Sequence, residues 1–165
     1  MILLRTAFVI LFCFSCSNES KRSTHLHEII GKVIGIKDGD TIEVLFNGHP
    51  LTVRLEHVDC PELKKSQPYA KAAKQFTSAM CFGQVVTILN ENKYDRYRRL
   101  IGVIINTHGE NVNKELLKAG LAWHFKRYST DKDYADLQKQ AQLRQVGLWK
   151  EQTPVAPWDW RCKKR

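Results

Sequence analysis

The sequence predicts a mainly β domain with α-helices: a small closed five-stranded Greek-key barrel with three helices packed on it. Three observations carry this. Between Glu28 and Val58, β-branched and alternating apolar runs follow one another, separated by turn signals. A helical apolar period comes after the third run, followed by two more short apolar runs. The remainder, as far as Gly147, reads as two further helices. That order of elements is the OB-type architecture.

The first strand is Ile29-Ile30-Gly31-Lys32-Val33-Ile34-Gly35-Ile36, closed by the turn Lys37-Asp38-Gly39-Asp40. In the second, Ile42, Val44 and Phe46 alternate with Thr41, Glu43 and Leu45. Asn47-Gly48 then gives a tight hairpin turn, because both residues accept positive φ. Leu51, Val53 and Leu55 alternate again, which puts Arg54 on the opposite face of an antiparallel meander. From Ser66 to Met80 the residues Tyr69, Ala72, Ala73, Phe76 and Met80 repeat at helical spacing, and Pro68 suits the first turn. Gln84 to Leu89 and Leu100 to Ile105 read as strands. Asn111 to Ala119 is a short helix ended by Gly120, and Asp131 to Gln145 is a third helix stopped near Gly147.

The chain of 165 residues holds one modest domain. Apolar residues at 43% exclude a disordered chain, and five Cys are too few for a disulfide-built scaffold. The formal charge of +9 calls for an anionic partner: nucleic acid, an acidic membrane surface or an acidic protein. Charge alone does not choose among them.

Arg5 precedes the unbroken apolar run from Ala7 to Phe14. Eight helical residues rise about 12 Å, well short of a hydrocarbon core of roughly 30 Å. Residues 1–15 are therefore expected to be an export signal. This predicts a secreted, periplasmic or lipid-anchored protein of the bacterial envelope. Ser15-Cys16 resembles a lipoprotein cleavage site, which makes Cys16 a lipidation candidate and a means of membrane attachment; simple secretion is the other reading. Residues 16–27 read as a flexible linker, 28–149 as the domain, and 150–165 as a basic tail with Pro154, Pro157, Trp158 and Trp160. Two of Cys60, Cys81 and Cys162 could pair in an oxidising compartment, and the sequence does not say which.

Three stretches carry candidate chemistry: Asp38-Gly39-Asp40-Thr41, Arg54-Leu55-Glu56-His57-Val58-Asp59-Cys60-Pro61-Glu62, and Asp95-Arg96-Tyr97-Arg98-Arg99. Each alone has an ordinary reading as a turn, a helix-entry loop or a solvated basic loop. Together, in this order and spacing, they resemble the staphylococcal nuclease (thermonuclease) family. The resemblance runs from about Ile29 to Trp149 and includes Gly120-Leu121-Ala122 and Gly147-Leu148-Trp149.

The resemblance implies a Ca²⁺-dependent endonuclease acting on DNA and RNA, with single-stranded or locally melted substrate preferred. It implies that Asp40 and Asp59 give carboxylate oxygens to Ca²⁺ and that Cys60, where the family usually has Thr, gives its backbone carbonyl. Arg54 and Arg99 match the arginines that grip the scissile phosphate, and Glu62 matches the carboxylate assigned to the attacking water. Arg96 and Tyr97 fall where the family binds the terminal phosphate and nucleotide, and Tyr128 is a retained aromatic for substrate. Arg98 stands where the family commonly has Gly. An Arg at positive φ is strained, so a shifted loop is expected there, which leaves the placement of Arg99 open.

These residue types suit the chemistry. A phosphodiester repels hydroxide, and its pentacoordinate transition state gathers further negative charge. Arginines donate paired hydrogen bonds to that charge and stay protonated at any working pH. Ca²⁺ takes hard oxygen ligands, and a nearby carboxylate can take a proton from water. In-line hydrolysis of the P–O5′ bond, leaving 3′-phosphate ends, is the implied outcome. The competing reading is a non-catalytic OB-type nucleic-acid-binding module at the cell surface. A monomer is expected, since no heptad or long apolar stripe appears.

Overall fold

A computed structural model describes residues 26–162. The expected signal and the candidate Cys16 lie outside the described residues.

Strands β1 (His27–Asp38), β2 (Thr41–Phe46) and β3 (His49–Leu55) form the antiparallel meander. Strands β5 (Val85–Tyr94) and β6 (Leu100–Ile105) complete a closed barrel in the order β1-β2-β3-β6-β5. The β3–β6 pair is parallel, with Val53 opposite Leu100 and Arg54 opposite Ile101; the other barrel pairs are antiparallel. This is the five-stranded OB-type barrel expected from the sequence. A small ladder joins β4 (Val58–Asp59) to β7 (Trp123–His124) beside it.

The alternating runs deliver the core. Ile42, Val44, Val53, Leu55, Ile88, Leu100 and Ile104 are fully or almost fully buried inside the barrel, and Ala73, Leu116, Leu117 and Tyr134 close it from the helices. The helices are α1 (Ala70–Cys81), α2 (Val112–Lys118) and α3 (Lys132–Leu143). Asn111 and Asp131 cap α2 and α3 by accepting from Lys114 N–H and Asp133 N–H.

Three features depart from the expectation. A fourth helix, α4 (Pro157–Cys162), and a 3₁₀ turn (Gly147–Lys150) add to the three predicted helices, so the described part of the tail carries a helix of its own. The period from Ser66 enters the helix only at Ala70, because Tyr69 sits at φ 66° and breaks the helical run before it. Strand β5 runs on to Tyr94, past the predicted Leu89, because Asn90 secures its polar half. Asn90 Nδ2 donates to the His27 carbonyl at 3.1 Å and its Oδ1 accepts from Asn92 N–H at 3.1 Å.

Gly120 and Gly147 mark a chain crossing. Both have positive φ, and Leu148 N–H donates to the Gly120 carbonyl at 2.8 Å. A Cβ on either would strike the other segment's backbone, so both the conformation and the approach require glycine.

Candidate active site

Register brings the predicted groups to one rim of the barrel. The β1–β2 turn supplies Asp38 and Asp40, the end of β3 supplies Arg54, and β4 supplies Asp59. The loop after β4 supplies Cys60 and Glu62, and the β5–β6 turn supplies Arg99. Thr41 pairs with Arg54 across β2 and β3, which sets these ends side by side. The Asp38-Gly39-Asp40 turn is pressed against α1. Thr77 Oγ1 donates to the Gly39 carbonyl at 2.5 Å, and a Cβ at Gly39 would come within 2.8 Å of Ala73 Cβ and 2.9 Å of Cys60 Cβ.

Arg54 is the hub. Its Nη1 donates to the carbonyls of Leu55 at 2.7 Å and Val58 at 2.8 Å. Its Nη2 pairs with Asp59 Oδ1 at 2.7 Å and Asp40 Oδ2 at 3.1 Å. Only 12% of its side chain is exposed. Burial works against its charge, and Asp40 and Asp59 overcome that and hold the guanidinium protonated. These contacts leave Nε as the N–H that points to none of these partners.

Asp40 is held on both oxygens: Oδ2 also accepts from Cys60 N–H at 2.7 Å, and Oδ1 from the Thr41 hydroxyl at 3.1 Å. Cys60 is buried, and burial first, then neighbouring Asp40, pushes its thiol well above the usual range, so it is no nucleophile here. Burial also pushes Asp59 up, against the pull of Arg54. Cys60, Cys81 and Cys162 are all free thiols.

Arg99 is held from the other side. Nε donates to Asp95 Oδ2 at 2.7 Å, Nη2 pairs with the same oxygen at 2.6 Å, and Nη1 donates to Thr41 Oγ1 at 3.2 Å. Arg98 takes φ 60°, and the turn closes through Arg98 N–H to the Asp95 carbonyl at 3.0 Å. Asp95 Oδ1 accepts from the N–H groups of Tyr97 at 2.9 Å and Arg99 at 3.0 Å. Those bonds hold the left-handed residue in place, and Arg99 reaches the rim.

Arg96 and Tyr97 stay with Arg99. The Tyr97 ring lies 4.8 Å from the Arg96 guanidinium and 5.4 Å from that of Arg99. Tyr97, Arg98, Arg99, Lys37, Thr41 and Leu51 help line an open cleft of about 540 Å³. Tyr128 is 69% exposed, with its ring against Phe125 and Arg127.

Sequence reasoning passed over two residues. Asp38 stands in the quoted turn, yet only its neighbour was given a role. Burial, then the charges of Asp40 and Glu62, raise it to about 6, so it belongs to the same acidic cluster. Arg161 of α4 reaches across the rim to Asp59 and Glu62, and no local pattern in the tail signals it. Among the described residues no three Asp, Glu, His or Cys side chains converge as a ready metal cage. The residues that would hold a metal ion are two carboxylates, Asp40 and Asp59, that share Arg54 Nη2. Hard oxygens completed by main-chain carbonyls and water fit Ca²⁺ and do not fit a thiolate- or imidazole-seeking metal.

An OB-type barrel with guanidinium and carboxylate groups interleaved on one rim defines the class. The family model "Staphylococcal nuclease homologue" matches residues 52–151. The chain belongs to that family. It is 36% identical over 137 residues to an "Uncharacterized endonuclease" of Escherichia coli O157:H7, covering 83% of this chain and 88% of the relative. A Haemophilus influenzae protein of the same description is 33% identical over 165 residues, covering 99% of this chain and 86% of the relative. A "Micrococcal nuclease" of Shigella flexneri is 34% identical over 141 residues, covering 79% of each chain.

Proposed function

We propose that this chain is a Ca²⁺-dependent endonuclease that hydrolyses the P–O5′ bond of DNA and RNA and leaves 3′-phosphate ends. The single observation that supports this best is the meeting of Arg54, Arg99, Asp40 and Asp59 on one rim, joined by Thr41 and Arg54 Nη2. Family membership and relatives named as endonucleases support the reaction class.

In this reading Asp40, Asp59 and the Cys60 carbonyl hold Ca²⁺. The bound ion supplies Lewis-acid stabilisation of the phosphoryl oxygen and helps to acidify water. Arg99 donates to the equatorial oxygens as they gain charge, and Arg54 adds its positive field and its remaining Nε–H. Glu62 takes the proton from the attacking water. Arg96 and Tyr97 seat the adjoining phosphate and nucleotide, and Tyr128 offers a stacking face further along. The excess of basic residues makes binding of the polyanion salt-sensitive. Residues 1–15 act as an export signal, with Cys16 the lipidation candidate and simple secretion the alternative, and the mature protein works as a monomer in or outside the bacterial envelope.

A DNA zymogram with CaCl₂, repeated with EGTA, tests this reading. Clearing that needs Ca²⁺ is expected, with 3′-phosphate on the fragments. Clearing that persists in EGTA overturns the metal assignment, and no clearing in either lane overturns the enzyme.

A further inference from the structure

Arg161 enters the rim from the opposite end of the chain. Its Nη2 donates to Asp59 Oδ2 at 2.7 Å, and its Nη1 to Asp59 Oδ1 at 3.3 Å and Glu62 Oε1 at 2.5 Å. Asp59 Oδ1 also carries Arg54 Nη2. Both oxygens of the buried Asp59 are therefore occupied by guanidinium groups, and Glu62 is held by the same fork.

The tail is fastened where it can deliver this group. The Trp158 ring stacks on Phe125 at 5.7 Å with planes 5° apart, and meets Trp123 edge-on at 5.7 Å. Gln67 Nε2 donates to the Val155 carbonyl at 2.7 Å, while Gln67 Oε1 accepts from Glu62 N–H at 2.9 Å. Lys65 Nζ donates to the Arg161 carbonyl at 2.7 Å, and Trp160 Nε1 to the Lys65 carbonyl at 3.3 Å. One loop, from Glu62 to Gln67, thus holds both a site carboxylate and the helix that covers it.

We propose that Arg161 is a built-in counter-cation of this site, which competes with Ca²⁺ for Asp59 and holds Glu62 by the same fork. This rests on the Ca²⁺ reading above. Ca²⁺ sits 2.3–2.6 Å from its oxygens, so at Asp59 Oδ2, the oxygen that Arg54 leaves open, it and the Arg161 guanidinium exclude each other sterically and by charge. Ca²⁺ binding must therefore detach Arg161, and the ion's apparent affinity falls by the strength of that grip. The Arg161 side chain is 39% exposed, so it can swing into solvent or onto substrate phosphate without unfolding the barrel. Trp158 and Trp160 lie on the same short helix and report its movement.

Calorimetric titration of nucleic-acid-free protein with CaCl₂ tests this, on the wild type, Arg161→Gln and Arg161→Lys. Arg161→Gln is expected to bind Ca²⁺ about five- to tenfold tighter, the value of two partly exposed ion pairs. Arg161→Lys should fall between. Tryptophan emission of the wild type should change on Ca²⁺ addition, and less so in Arg161→Gln. Equal or weaker Ca²⁺ binding by Arg161→Gln, with the wild type binding normally, overturns the competition while sparing the Ca²⁺ reading. A wild type that binds no Ca²⁺ at millimolar concentration removes both.

Discussion

Arg54 at the end of β3 and Arg99 in the β5–β6 turn share one rim of the barrel, yet the chain holds them in opposite ways. Arg54 is 12% exposed and spends both terminal nitrogens on two carbonyls and two buried carboxylates. Arg99 is 27% exposed and rests on one surface aspartate and one hydroxyl. The first is part of the fold as much as of the site. The second is held firmly enough to aim and loosely enough to meet a substrate. Two arginines that look equivalent as sequence motifs should therefore fail differently.

Removing Arg54 gives the largest effect. Arg54→Ala leaves Asp40 and Asp59 buried without their shared counter-charge, a loss of about 3–5 kcal/mol in comparable buried pairs. Urea denaturation should show the drop together with lost nuclease activity. An Arg54→Ala protein as stable as the wild type would erase the contrast. Arg99→Ala comes next: turnover on DNA should fall about a hundredfold or more, with the midpoint of unfolding almost unmoved. Wild-type turnover in Arg99→Ala would remove Arg99 from the chemistry.

Much of this arrangement was readable in the sequence, because alternation and turn chemistry are local signals. Ile42, Val44, Val53 and Leu55 are buried as their period demands, and Asn47 and Gly48 take the positive φ that the dipeptide favours. The resemblance carried by the motifs implied that Asp40, Arg54 and Asp59 share a site, and they meet on one rim together with Arg99, whose placement the sequence left open. What escaped depends on distant contacts. Arg161 lies 102 residues from Asp59 along the chain and reaches it because Trp158 packs on Phe125 and Trp123 and the loop from Glu62 to Gln67 bonds the tail. The polar half of β5 shows no apolar alternation, and it is a strand because the Asn90 side chain and the β6 partner satisfy it. The Arg98 turn depends on a side chain in the same way: Arg98 takes a left-handed conformation, and Asp95 supplies the hydrogen bonds that hold the turn around it.

Asp95 offers a pH test of the looser arm. Burial alone would raise its carboxyl, but hydrogen bonds from Arg99 and Tyr97 outweigh that and hold it below the ordinary carboxylate value. Its folded value is thus below its unfolded one. The stabilisation is complete above about pH 4, the unfolded value, and is lost as pH falls through the folded one. Asp95→Asn should lack this acid-dependent component and should lower turnover about tenfold or less, through looser aim of Arg99. Unfolding midpoints of the two proteins should converge as the pH is lowered. Midpoints that differ by the same amount at every pH would show that Asp95 acts by shape and not by charge.

The smallest effect is a gain. Arg98 sits at φ 60°, a conformation costing an L-residue roughly 1 kcal/mol that glycine avoids. Glycine also has more freedom to lose on folding, which offsets part of that. Arg98→Gly should therefore raise stability by about 0.5 kcal/mol or leave it level, with Arg99 still bonded to Asp95 and Thr41. Turnover should stay near wild type if Arg98 only bridges the turn. A loss of turnover close to that of Arg99→Ala, in a protein equally stable, would mean that the Arg98 side chain grips phosphate too, and the looser arm would then carry two guanidinium groups rather than one.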